Sequence, residues 1–159
     1  MAQLLIVIAA SIFLLMGAGH GALTLRDLKH PKAFTPRDPA LRQAMQQSSI
    51  SLHPSINLWR AWQGFNLTHS LGLVLFGGAF LHVGIFEPNA FASSLLVQAV
   101  AVLVSAIYLV LSLKFFFFTP VIGSTIGLVS FLVAAGLAYA SQGAPADRLA
   151  PASLRLHGG

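Results

Sequence analysis

Four stretches of this 159-residue chain are long and apolar enough to cross a lipid bilayer, and no other feature constrains its fold as much. A helix needs roughly 20 mostly apolar residues to span a hydrocarbon core about 30 Å thick. Such stretches cover residues 3–23, 64–86, 91–118 and 121–140. Within lipid every backbone N–H and C=O must find a partner in the protein, which leaves helices and closed β-barrels. Barrel strands alternate apolar and polar residues over short segments, and no run here does so. The second, third and fourth stretches are joined by a few residues each, so they are expected as antiparallel neighbours. The expected fold class is therefore all-α: an integral membrane protein folded as an antiparallel four-transmembrane-helix bundle.

Local signals set the expected boundaries. Glu87-Pro88-Asn89 ends the second span, because Pro disfavours helix at the residue before it and Asn suits a turn. Thr119-Pro120 is expected as a tight hairpin between the third and fourth spans. Gln142-Gly143 stops the fourth, leaving residues 1–143 as a single membrane domain and 144–159 as a flexible tail rich in Pro, Ala and Gly. The first span has a leader-like small-residue stretch from Ala18 to Ala22. No Lys or Arg precedes its apolar core, so it reads as a retained helix rather than a cleaved signal.

Composition removes several functions. Only 8% of residues are charged, against roughly 25% in soluble domains. With no cysteine, disulfides, thiolate metal sites and cysteine nucleophiles are absent. The net charge of +5 does not indicate nucleic-acid binding, because the cations form no dense run. They set orientation instead. Arg26, Lys29, Lys32, Arg37, Arg42, Arg60 and Lys114 fall on one side and Arg148 and Arg155 on the other. Positive charge accumulates on the cytoplasmic side. The expectation is a bacterial inner-membrane protein with a cytoplasmic 24–63 segment and both termini outside.

That segment is too long for a structureless loop. Asp38-Pro39 is a helix-start signal, since Asp caps free N–H groups and Pro fits the first helical position. A short helix from Pro39 to Gln47 is expected, with Leu41, Ala44 and Met45 on one face suited to a membrane surface. Asn57 to Gln63 is expected to be helical and continuous with the second span. Trp59, Arg60 and Trp62 then sit at headgroup depth, where indoles are enriched, and Lys114 snorkels to the interface from the end of the third span.

The polar residues within the spans are the candidate site. On a helix, Trp59, Trp62, Asn66, His69 and Gly77 fall near one stripe. Gly64, Gly72, Gly77 and Gly78 are expected to admit neighbouring backbones. His20, near the end of the first span, is expected at the depth of His69. Two readings are open. In one, His20 and His69 ligate a metal ion or haem b, or shuttle a proton. Gly17, Gly21, Gly64 and Gly72 would make room for the macrocycle, Phe13, Trp62 and Phe65 would wall it, and Arg26 and Arg60 would meet its propionates. In the other, His69 bonds a carbonyl or Asn66, and His20 caps its own helix. No nucleophile–base–acid trio, phosphate loop or carboxylate-rich metal set is present.

The residues Gly17-x-x-His20-x-x-x-Thr24, Phe34-Thr-Pro-Arg-Asp38, Ala44-Met45 and Trp59-x-x-Trp62-x-Gly64-Phe65-Asn66-x-Thr68-His69-Ser70-x-Gly72 resemble a group of small bacterial four-helix membrane proteins of uncharacterised function. The resemblance covers the first half of the chain and implies four spans, without an activity or cofactor. The leading expectation is a non-catalytic accessory subunit whose helix faces pack on other membrane proteins. Two small-xxx-small pairs, Gly17/Gly21 and Gly123/Gly127, support it. The alternative is a membrane-embedded ligand-binding protein or enzyme. Its pocket would be lined by His20, Thr24, Trp62, Asn66 and His69 and would suit a lipid, a quinone or another amphiphile.

Overall fold

A computed structural model describes residues 1–142. The tail expected at 144–159, with Arg148 and Arg155, lies outside the described residues. The order is α1 (Ala2–Lys29), α2 (Pro39–Gln47), β1 (Ser49–Ile50), β2 (His53–Asn57), α3 (Leu58–Phe86), α4 (Pro88–Ser93), α5 (Leu95–Phe115) and α6 (Phe118–Gln142). Four of these helices, α1, α3, α5 and α6, are long and apolar enough to cross a membrane. They are compatible with a multi-pass membrane protein.

Several helix ends depart from the sequence expectation. Helix α1 runs on to Lys29, because Leu25-Arg-Asp-Leu-Lys29 contains good helix formers and Arg26 and Lys29 favour the negative end of its dipole. It stops where Pro31 forces His30 out of the α region (φ −131°, ψ 80°). The short β1–β2 ribbon, with Ser49 paired to Asn57 and Ile50 to His53, was not foreseen. Pro88 does not simply end a span: it begins the extra helix α4 at a position where its missing N–H costs nothing. Ser94 then caps α5 through the N–H of Val97 at 3.3 Å. The break before α6 falls at Phe116-Phe117 rather than Thr119-Pro120. Pro120 lies in the first turn of α6, where its missing N–H has no partner to lose.

Other local readings hold. Asp38 caps α2 by accepting from the N–H of Ala40 at 2.9 Å. The helix expected from Asn57 begins one residue later: Asn57 ends β2 in extended backbone and caps α3, which is continuous from Leu58, by accepting from the N–H of Arg60 at 2.8 Å.

Helix α1 packs against α3 and α6, and α5 packs against α6, whereas α3 and α5, expected as direct neighbours, meet through rings such as Tyr108 and Phe76 without close backbone packing. In an apolar solvent there is little hydrophobic drive between helices, so close fit has to hold them together. The buried stripe of α3, Trp59, Asn66, Ser70, Leu73, Gly77, Phe80 and Gly84, repeats at helical spacing. At Gly17 an added Cβ would stand 2.6 Å from the Cβ of Leu73, and at Gly77 it would strike the backbone of Leu14. The expectation that Gly64 and Gly78 admit a neighbour is corrected: open space faces both. The buried apolar core includes Ile6, Ala9, Ala10, Phe80, Phe91 and Phe131. Phe80 meets Phe131 edge-on with ring centroids 5.2 Å apart.

Candidate functional site

At the other end of α1 the packing changes character. His20 Nε2 and Asn66 Oδ1 are 3.0 Å apart, joining α1 to α3. The amide of Asn66 is turned to this task by its own N–H donation to the Trp62 carbonyl at 2.8 Å. His20 Nε2 therefore carries the proton and donates, since the Asn oxygen only accepts. His20 does not cap its helix as expected, because α1 continues for more than two turns beyond it.

The rings of His20 and His69 meet edge to face, with centroids 5.3 Å apart. His69 is further enclosed by Phe65 at 6.0 Å, Tyr108 at 5.8 Å and Phe116 at 5.7 Å. Neither the ring of His69 nor the hydroxyl of Tyr108 has a hydrogen-bond partner among the described residues. Among the described residues no buried side-chain N or O atom is left without one, so the free polar atoms of both residues reach open space.

That space is a cavity of about 380 Å³ between α1, α3 and the facing ends of α5 and α6. Its volume falls in the range of small-molecule pockets, roughly 300–1,000 Å³. His20, Trp62, Asn66 and His69 line it, as the sequence suggests, together with Tyr108, Ser112, Phe116 and Ser124. Thr24, the fifth residue expected there, does not. It is buried, donates to the His20 carbonyl at 2.9 Å and borders a separate void of about 10 Å³. The cavity does not come from the glycines expected to provide it. Gly17 and Gly21 are spent against Leu73 and Ser70, and Gly72 meets the Tyr108 hydroxyl. Phe13 is fully buried elsewhere in the core.

A strap closes this end. Asp27 is buried and accepts from the N–H groups of Ala33 at 2.9 Å and Phe34 at 2.6 Å, and from the Thr35 hydroxyl at 3.4 Å. Bonds to a carboxylate are stronger than neutral ones, so Asp27 pins the 33–35 turn to the end of α1. The Phe34 carbonyl then accepts from the Trp62 indole at 2.8 Å, and its ring lies 4.4 Å from that of His20. Among the expected interface residues, Arg60, Trp62 and Lys114 are exposed, while Trp59 is packed inside at 8% exposure.

Sequence reasoning missed Asp27, Tyr108 and the Ser112–Ser124 pair, whose hydroxyls are 3.2 Å apart across α5 and α6. Tyr108 carried a usable signal, as the one tyrosine inside the third apolar run. For a metal or haem, the two imidazoles are adjacent, but His20 Nε2 is committed to Asn66. Among the described residues no three His, Cys, Asp or Glu side chains come close enough to hold a metal ion.

Compared with protein-family models, curated proteins and solved structures, the chain has no match.

Proposed function

We propose that this is a bacterial inner-membrane protein that binds an amphiphile in a pocket between its helices at the level of His20 and His69. The observation carrying the proposal is the cavity of about 380 Å³ with the unpartnered His69 ring on its wall. In this reading the fold is an antiparallel four-helix bundle. Supporting it, Gly17 faces Leu73, Gly77 faces Leu14 and Gly84 faces Ile6, so residue numbers rise along α3 as they fall along α1. The 24–63 segment is cytoplasmic and both termini are outside, on the balance of Lys and Arg. Membership of the small four-helix group with the Trp59–Gly72 motif is part of the same proposal.

Native mass spectrometry of protein extracted gently from membranes tests the binding. Gly19 lines the cavity and has open space around a Cβ, so Gly19→Trp sets a large ring at the pocket wall without a backbone clash. A small molecule should accompany the wild type and be missing from Gly19→Trp. An empty wild type would end the reading. If that molecule is haem b, a Soret band should appear and vanish in both His20→Ala and His69→Ala.

An accessory subunit is the second proposal. Helix α5 leaves Leu96, Leu103 and Leu113 uncovered, a face open to another membrane protein. The glycine pairs no longer argue for it: Gly17/Gly21 packs on α3, and Gly123/Gly127 on Met16 and Phe13. Affinity capture in gentle detergent that returns this chain alone would remove this reading.

A further inference from the structure

Resting on that pocket, we infer that its ligand is a quinone: an uncharged, planar, carbonyl-bearing ring with an apolar tail. Three observations carry this choice. First, none of the described residues lining the cavity is Lys, Arg, Asp or Glu. A phosphate or carboxylate head would lose its hydration there without a counter-charge, which is costly at low dielectric. A neutral head loses far less.

Second, the walls are planar. Phe34, Trp62, Tyr108 and Phe116 surround the two imidazoles, with His69 and Phe116 at 5.7 Å and 32° and His20 and Phe34 at 4.4 Å and 40°. Aromatic faces at such spacings favour another flat ring over a branched or sugar head.

Third, two hydrogen-bonding groups are free. His69 presents an N–H in either tautomer and Tyr108 an O–H, their ring centroids 5.8 Å apart. Among the described residues neither is used by the protein. Each group can donate to a carbonyl oxygen and can also accept, so the pair matches a ring whose oxygens cycle between carbonyl and hydroxyl, as those of a quinone and its quinol do. The tail has a way out. Leu15, Leu23, Phe115 and Phe117 line the cavity and are also exposed, at 70%, 45%, 71% and 67%. The mouth is therefore apolar and opens sideways, on the flank that lipid covers.

The test uses the purified full chain in lipid nanodiscs, with decylubiquinone and monoolein as separate probes and thermal unfolding as the readout. Decylubiquinone should raise the midpoint saturably. Gly19→Trp should abolish that rise, and His69→Leu and Tyr108→Phe should each weaken binding about tenfold, the loss of one hydrogen bond to the ligand. Both replacements keep approximate size and remove the polar atoms, and their unliganded midpoints report whether they fold. Saturable binding of monoolein blocked by Gly19→Trp, with no response to decylubiquinone, would overturn the quinone and leave the pocket standing. Response to neither probe would overturn both. Quinone binding unchanged in His69→Leu and Tyr108→Phe would overturn the proposed head contacts.

Discussion

The two ends of the α1–α3 pair are built on opposite principles. Around Ile6, Ala9, Ala10, Phe80 and Phe131, small residues and rings pack together, and the side-chain hydrogen bonds nearby, from Gln98 and Gln142, go to the backbone of α4 rather than between α1 and α3. Around His20, Asn66 and His69, the same two helices stay in contact, but the partner across from them is held off. Tyr108 and Phe116 meet His69 through ring edges and faces, and a cavity of about 380 Å³ opens behind them. One end is held by dispersion between closely fitted surfaces. The other is held by hydrogen bonds that tie α1, α3 and the strap together while leaving a hole.

Substitutions should separate the two ends, and the largest effect belongs to the packed one. Phe131→Ala removes a fully buried ring and should cost about 3–5 kcal/mol in reversible unfolding in detergent, as for large-to-small core changes generally. A loss under about 1 kcal/mol would mean that this end is not close-packed. Gly77→Ala should cost about 1–3 kcal/mol, because its methyl group meets the Leu14 backbone rather than a movable side chain. Gly78→Ala, facing open space one residue later, should stabilise by about 1 kcal/mol through helix propensity. Equal effects at the two glycines would undo the assigned α1–α3 contact.

At the polar end every effect should fall below that of Phe131→Ala and be more local. Asp27→Ala strands two backbone N–H groups and should cost about 2–3 kcal/mol. Amide exchange at Ala33 and Phe34 should accelerate before any change in the helices. Asn66→Leu breaks the His20 tie and should cost about 1 kcal/mol, within the range of about 0.6–2 for interhelical hydrogen bonds in membranes. His69→Leu should change stability by less than about 0.5 kcal/mol, since no hydrogen bond to its ring is lost. A loss comparable to Asn66→Leu would show that His69 supports the fold, and the cavity would lose its free donor.

Much of this site was legible before the structure, and what was missed shares one cause. His20, Trp62, Asn66 and His69 converge as expected because all four lie on two helices whose ends are joined by one segment, so their depth follows from residue counting. In the sequence Asp27 is one acidic residue just beyond the first apolar run. Its role exists only because α1 continues past the apolar run and the 33–35 turn folds back onto it. Tyr108 reached His69 from a helix whose rotation no periodicity could reveal.

The spans themselves needed no tertiary information. About 20 apolar residues, satisfied internally by helix hydrogen bonds, are a local solution, and so are the Asp38 and Asn57 caps, each closed within three residues. Which face of each helix meets a neighbour was another matter. Lipid and protein interior are equally apolar, so hydropathy does not distinguish Gly77, pressed on a backbone, from Gly78, facing open space. Only the packed arrangement separates them. The same packing turns two unremarkable side chains, His69 and Tyr108, into the free polar groups of a pocket.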